Sequence, residues 1–185
     1  MSFPWYEIIK DNTIEQGDFV DKCPVVLPPA DITEGGEADF EIELIDSIVL
    51  SQSCDLVNNK LQYVMVCPYY SLQTFISSLP ENDLPDKRKP IDKLIENLRK
   101  GNLPAYHLLN KNEERNIDDY LVIDFKNVHS IHIESLKSEI QKQEKRIRLL
   151  PPYREHLSQA FARYFMRVGL PQDIRITRKY NKKQA

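Results

Sequence analysis

The sequence is poor in cysteine and has no long apolar run, and each shortage excludes a class of protein. The three cysteines, Cys23, Cys54 and Cys67, are too few and too widely spaced for a disulfide framework. No apolar stretch approaches the roughly 18 residues that a bilayer-spanning helix needs. The first residues lack the basic and apolar segments of a secretory signal. We therefore expect a cytoplasmic protein with no membrane partner.

Charge is nearly balanced along the whole chain but is unevenly distributed. The net charge is −3 at pH 7, yet residues 172–185 carry +4, so the remainder carries −7. A basic tail of this kind either touches nucleic acid or, more often, only solubilises a chain end. The length of 185 residues and the hydrophobic content of 41% suit a single domain, residues 1–185, with a full core.

Six stretches have the residue pattern of β-strands. Residues 40–50 alternate apolar and acidic side chains and then become continuously apolar, as a strand does when it passes from an exposed edge into a core. The other five are strongly apolar and are bounded by turn residues. The predicted strands are Phe19–Leu27 and residues 40–50, 61–67, 106–109, 120–125 and 128–133.

Helices are predicted in two places, a helical insertion at about residues 70–101 and the C-terminal part at about residues 134–170. Within the insertion, residues 90–99 begin at Pro90 and are followed by Gly101, while residues 70–79 form a first helix. In the C-terminal part, residues 134–148 form one helix, and apolar residues recur every three or four positions from residue 151 to Gly169. The pattern predicts an α+β fold.

Three short motifs resemble, in their order and spacing, the PemK/MazF family of small endoribonuclease toxins. They are Gly17-Asp18-Phe19, the Ile-Val-Leu-Ser run at residues 48–51, and the Val-Met-Val-Cys-Pro run at residues 64–68. The resemblance covers residues 17–70 and, loosely, 119–135. It implies a small SH3-like β-barrel at about residues 17–133 and a toxin–antitoxin or defence context. Separately, the Ser-Gln-Ser-Cys-Asp run at residues 51–55 resembles a group of uncharacterised bacterial proteins.

Two departures from the family pattern bear on activity. Toxins of that family place an arginine just before the Val-Leu-Ser strand, whereas residues 44–47 here are Leu-Ile-Asp-Ser. An acid at that point repels a phosphodiester. The family's threonine or serine after Cys-Pro is displaced here, because Tyr69 and Tyr70 precede Ser71. The implied fold is therefore separable from the implied ribonuclease activity.

The polar run that follows the apolar residues 48–50 is the candidate site. We predict Ser51, Gln52, Ser53 and Ser71 as ligand-binding residues, and Cys54, Asp55, His107 and Arg154 as catalytic residues. A thiol becomes a nucleophile when a base or cation lowers its pKa, and the adjacent Asp55 acts in the opposite sense. The competing interpretation is a structural cysteine, with Asp55 capping the turn after the strand.

Arg154 and the histidine pair carry two further predictions. A cation at a helix start is disfavoured by the helix dipole, so Arg154 predicts a specific carboxylate partner, either Asp55 or a glutamate. His129 and His132 are three residues apart on a predicted strand and face opposite sides. No metal site and no cofactor are therefore predicted.

Three functions stay open on this basis. The first is a toxin-like or defence-associated protein that binds nucleic acid, in one version as a metal-independent endoribonuclease. The second is a non-catalytic protein-interaction module on the same barrel. The third is a thiol-dependent hydrolase that uses Cys54. The partners implied are RNA, an antitoxin-like or defence-complex subunit, or a second copy in a homodimer.

Overall fold

The chain adopts an α+β fold in the computed structural model, which describes residues 3–31, 34–37, 39–79 and 88–166. The α+β prediction is confirmed. The eight strands of this part of the chain are β1 Tyr6–Ile9, β2 Phe19–Leu27, β3 Glu41–Val49, β4 Tyr63–Ser71, β5 Tyr106–Leu109, β6 Leu121–Asp124, β7 His129–His132 and β8 Arg146–Leu149. The five α-helices are α1 Ser53–Val57, α2 Leu72–Ser77, α3 Arg88–Arg99, α4 Ile133–Gln141 and α5 Tyr153–Phe165.

Six strands form one antiparallel sheet around β4. The order is β2-β3-β4-β6-β5, and β7 also pairs with β4. On the edge of β4 that faces away from β3, residues 63–66 pair with β7 and residues 69–71 pair with β6. Pro68, which has no N–H to donate, lies between these two ladders. The predicted strand at residues 61–67 therefore continues through Pro68 to Ser71, and α2 starts at Leu72 rather than at residue 70.

The two faces of the sheet bury separate cores because successive strand residues point to opposite sides. Val64 and Val66 of β4 face one side, whereas Cys67 faces the other. The first core lies between the sheet and α4 and contains Ile14, Val20, Cys23, Val25, Val49, Leu56, Val64, Val66, Ile131, Leu136 and Ile140. The second lies under β1, β8 and α5 and contains Tyr6, Phe19, Ile48, Leu50, Cys67, Leu109, Ile117, Ile123, Phe125, Leu149 and Leu157.

A two-stranded sheet of β1 and β8 corrects the prediction of one helix over residues 134–148. The helix α4 stops at Gln141, and β8 follows. The Arg-Ile-Arg-Leu sequence of β8 alternates with the period of a strand, and both of its arginines are buried. Leu149 donates its N–H to the Gly17 carbonyl at 2.9 Å, so β8 meets the chain at the start of β2.

The strand pairings in the described part of the chain leave the six-stranded sheet open rather than closed. The predicted insertion does contain α2 and α3, and its apolar residues Leu72, Phe75 and Leu98 pack with Val122 of β6. The connector at residues 80–87 and the basic tail at residues 172–185 lie outside the described residues. None of the described helices has the length and apolarity to cross a membrane.

Candidate functional site

The serines of the predicted ligand-binding run hold the backbone in place. Ser51 is buried, and its Oγ accepts a hydrogen bond from the Met65 N–H at 2.9 Å. The Oγ of Ser53 accepts from the Gln16 N–H at 3.1 Å. The short helix α1 begins at Ser53, where the structural-cysteine interpretation placed a turn. These contacts tie the end of β3 to β4 and to the N-terminal segment.

Cys54 and Asp55 lie on α1 at the surface. The thiol of Cys54 is exposed and lies 3.7 Å from Oε1 of Gln52. Asp55 pairs with Lys60, with 3.6 Å between Oδ1 and Nζ. In the described part of the chain, no hydrogen bond links this thiol to a histidine or an arginine. A thiol nucleophile lacks its activating base in this arrangement.

His107 and Arg154, the other predicted catalytic residues, lie in different surroundings from Cys54. His107 lines a cavity with His156 and Arg163, and burial, followed by the electrostatic effect of these two neighbours, lowers its pKa to about 4. Arg154 donates to Glu15, with 3.2 Å between Nη1 and Oε2. The prediction that Arg154 has a carboxylate partner is confirmed, and that partner is a glutamate rather than Asp55.

Two buried arginines that the sequence analysis placed in a helix form the main charged network. Arg148 donates to both Asp18 and Glu15, with 2.7 Å between its Nη1 and Oε1 of Glu15. Arg146 donates from Nε to Asp18 at 3.1 Å and also to the Asp11 and Thr13 carbonyls. These guanidinium groups are saturated by protein acceptors, so the network is structural and holds residues 11–18 against β8.

A cleft of about 450 Å³ contains the last predicted ligand-binding residue, Ser71. The hydroxyl of Ser71 caps α2 by accepting from the Thr74 N–H at 3.0 Å. Across the cleft, the Tyr69 hydroxyl donates to Asp21 at 3.4 Å. Burial, together with the nearby Asp46, raises the pKa of Asp21. Asp118 and Asp119 also line this cleft, beside Lys145 and the engaged Arg146, so its carboxylates offset the cations that a nucleic-acid phosphate would need.

The outer face of the sheet carries an apolar surface that the sequence analysis missed. Four large apolar side chains are exposed there: Val26 by 57%, Ile42 by 65%, Tyr63 by 56% and Met65 by 41%. We call these four residues the Tyr63 surface. The sequence signal for this surface is the unbroken apolar run in β4. A strand with one solvated face normally alternates apolar and polar residues, so an unbroken run places apolar side chains on both faces.

Two adjoining grooves meet at Tyr63. One, of about 720 Å³, is lined by Val26, Ile42 and Tyr63 and by residues of β7 and α4. The other, of about 570 Å³, is lined by Tyr63 and Met65, by Phe161 of α5, and by the predicted residues Ser51, Gln52 and Asp55. The predicted polar run therefore forms one wall of a groove whose floor is apolar.

A scan against protein-family models finds no match, and a search of curated proteins finds none either. The PemK/MazF resemblance therefore remains a prediction. In the described part of the chain, no three metal-ligating side chains converge on one point. The function has to be argued from the geometry above.

Proposed function

We propose that this chain is a non-catalytic protein-interaction module on a PemK/MazF-like, SH3-like barrel, and that the Tyr63 surface is its docking site. The observation that carries the proposal is the exposure of Val26, Ile42, Tyr63 and Met65 along two grooves that share Tyr63. Contiguous exposed apolar patches on a folded domain mark interaction sites. Tyrosine and methionine are also enriched in protein interfaces.

The exposed side chains lie on ordered strands, which favours a preformed docking surface. Val26 and Ile42 are direct cross-strand partners in the β2–β3 ladder. Tyr63 is the direct partner of His132 in the β4–β7 ladder, and their rings meet edge to face at 5.5 Å. A partner therefore gains apolar contacts without the entropy cost of ordering a flexible surface.

The charge around the grooves identifies the chemistry of the partner. Asp55, Glu134 and Glu139 line the grooves, and no lysine or arginine is among their described lining residues. Each acid is paired with a surface lysine, and such exposed pairs contribute about 1 kcal/mol or less, so a partner cation can replace the lysine. The favoured occupant is a segment of another protein that sets apolar side chains among lysines and arginines.

The pairing of nearby arginines with carboxylates favours protein binding over RNA cleavage. The three arginines nearest the Gly17-Asp18 motif, Arg146, Arg148 and Arg154, are engaged by carboxylates. Cys54 and His107 lie in separate surroundings, as described above. The three family-like motifs lie at the start of β2, at the end of β3 and in β4, which are adjacent antiparallel strands packed over α4. This order supports the proposed family likeness, whereas closure of the open sheet into a barrel is part of the proposal.

The test is a peptide selection on the immobilised protein with matched surface variants. We expect selected peptides to combine one or two apolar residues with lysine or arginine, and to lose at least tenfold in affinity on Ile42→Glu and Tyr63→Glu. The control is Val57→Glu, because Val57 is as exposed as Ile42 but lines neither groove. Peptides that bind all three variants equally, or that are acidic, would contradict the proposal.

A second arm measures binding and cleavage of a mixed single-stranded RNA pool at low salt, where phosphate contacts are strongest. The proposal predicts no cleavage by the natural protein. Cleavage that is lost in Cys54→Ala or Arg154→Ala would overturn it in favour of the toxin-like ribonuclease. A peptide of residues 172–185 is included in the binding panel, since its basic and apolar composition resembles that of the favoured occupant. Its binding in preference to every selected peptide would assign the surface to a second copy of this chain.

A further inference from the structure

A small cavity between α3, β5 and α5 has a lining rich in hydrogen-bond donors. Its volume is about 290 Å³, and its polar lining comprises Arg99, Lys100, Tyr106, His107, His156, Gln159 and Arg163. No aspartate or glutamate is among the described lining residues. A concave site with this lining stands out in a chain whose first 171 residues carry −7.

Three of the donors come from one face of α5. His156, Gln159 and Arg163 are spaced by three and four residues, so their side chains point the same way. Within the described part of the chain, these three side chains make no hydrogen bond or ion pair. The opposite wall is the end of α3, where Arg99 and Lys100 both contact Glu96, at 2.8 Å and 3.0 Å. The single charge of Glu96 therefore offsets one of these two cations. The remaining cation and Arg163 together leave the site with a charge of about +2.

His107 provides the inner wall of the cavity. Its ring lies nearly parallel to Phe125, with 6.4 Å between the centroids, and makes no hydrogen bond within the described residues. Burial, followed by the electrostatic effect of His156 and Arg163, keeps this ring uncharged at neutral pH, because it holds the pKa at about 4. A neutral imidazole still offers one N–H donor. The lining therefore offers hydrogen-bond donors, and a ligand in the cavity has to supply the acceptors.

We propose that this cavity binds the phosphate group of a small phosphate monoester. A phosphate supplies several strong acceptor oxygens and negative charge, and an arginine matches its geometry. The apolar lining residues Leu98, Leu108 and Ala160 accommodate a small organic body beside the phosphate. The volume lies at the lower end of the range of ligand pockets, about 300 Å³, which fits a sugar phosphate better than a dinucleotide.

The experiment titrates the ¹⁵N-labelled protein with inorganic phosphate, ribose 5-phosphate and uncharged ribose. We expect saturable shifts of amide signals from residues 98–108 and 156–163 with both phosphates, tighter binding of ribose 5-phosphate, and no shifts with ribose. Arg163→Gln should weaken the binding of ribose 5-phosphate at least tenfold. The control Lys10→Gln removes the same charge from an exposed residue outside the cavity and should change the affinity less than twofold.

Three results would overturn the proposal. The first is a set of non-saturating shifts spread over the surface lysines, and the second is equal affinity in Arg163→Gln and the natural protein. The third is a U-rich single-stranded RNA dodecamer that binds tighter than ribose 5-phosphate and is insensitive to Arg163→Gln, which would place phosphate recognition elsewhere. None of these depends on peptide binding at the Tyr63 surface, so the two proposals stand or fall separately.

Discussion

Arg148 binds Asp18 at the junction between the two sheets, with 3.0 Å between Nη2 and Oδ2 and a second hydrogen bond from Nε to Oδ1. The carboxylate is fully buried and also accepts from Arg146 and from the Glu15 N–H. Four hydrogen bonds therefore converge on one buried carboxylate. The aspartate of the Gly17-Asp18-Phe19 motif therefore anchors the N-terminal segment to β8.

Removal of the Asp18 charge is expected to destabilise the fold strongly. In Asp18→Asn, the buried guanidinium groups of Arg146 and Arg148 lose their shared counter-charge, and Arg148 keeps Glu15 as its carboxylate partner. Removing one partner of a buried ion pair costs about 3–5 kcal/mol. Urea unfolding measures this as a lower midpoint at unchanged slope. Asp11→Asn is the matched control, because Asp11 is exposed and lies 3.7 Å from Arg146. The control should cost about 1 kcal/mol or less, and an equal loss in both variants would contradict the role assigned to Asp18.

Gly17 is expected to tolerate no side chain. Its φ of +86° lies in the left-handed region, and an added Cβ would come within 3.1 Å of the Leu149 Cβ and 3.2 Å of the Leu149 carbonyl oxygen. Gly17→Ala combines backbone strain of about 1–2 kcal/mol with displacement of β8. Gly101→Ala is the control, because Gly101 has a φ of +68° but open space around it. Thermal unfolding should show a clearly larger loss for Gly17→Ala.

The elements that the sequence predicted well are those whose local pattern and tertiary role agree. The bounds of Phe19–Leu27 and Tyr106–Leu109 match β2 and β5, and the helix predicted from residue 151 is α5, which begins at Tyr153. The helix prediction was wrong at residues 146–149, because charged residues are typical of a solvated helix. Only the distant Asp18 and Glu15 make those arginines suitable for burial in a strand.

The candidate site was predictable only in part, because it too depends on residues that are distant in the sequence. Three residues of the run from Ser51 to Asp55 line a groove, namely Ser51, Gln52 and Asp55, and their role in ligand binding or catalysis stays a prediction. The floor of this groove was not predicted, because Tyr63 and Met65 are indistinguishable by composition from the buried Val64 and Val66 beside them. Which face of β4 is covered depends on where α4 and α5 pack, and no local pattern contains that information.

His107 is expected to make stability depend on pH. Its pKa is about 4 in the folded chain and 6.5 for the unperturbed side chain, so the unfolded state binds more protons between these values. Stability therefore falls as the pH drops from about 6.5 towards 4, by up to about 3 kcal/mol. Urea unfolding across this range should show a shallower slope against pH in His107→Gln than in the natural protein. Parallel stability–pH profiles of the two proteins would show that His107 is not shielded from solvent. The variant His129→Gln is the control for the loss of an unrelated histidine.

Cys54 is expected to be the one thiol that reacts in the folded protein. Cys23 and Cys67 are fully buried, and burial raises the pKa of both thiols, so each is screened from reagent and held protonated. A chromogenic disulfide reagent should therefore titrate one equivalent in the native chain and three, the full cysteine content, in denaturant. Cys54→Ser should remove the native equivalent and change the free energy of unfolding by no more than about 0.5 kcal/mol, since among the described residues the exposed thiol is hydrogen-bonded to Gln52 alone. A second fast thiol in the native chain would mean that one of the two cores opens. An esterase activity that disappears with Cys54→Ser would instead establish the thiol hydrolase.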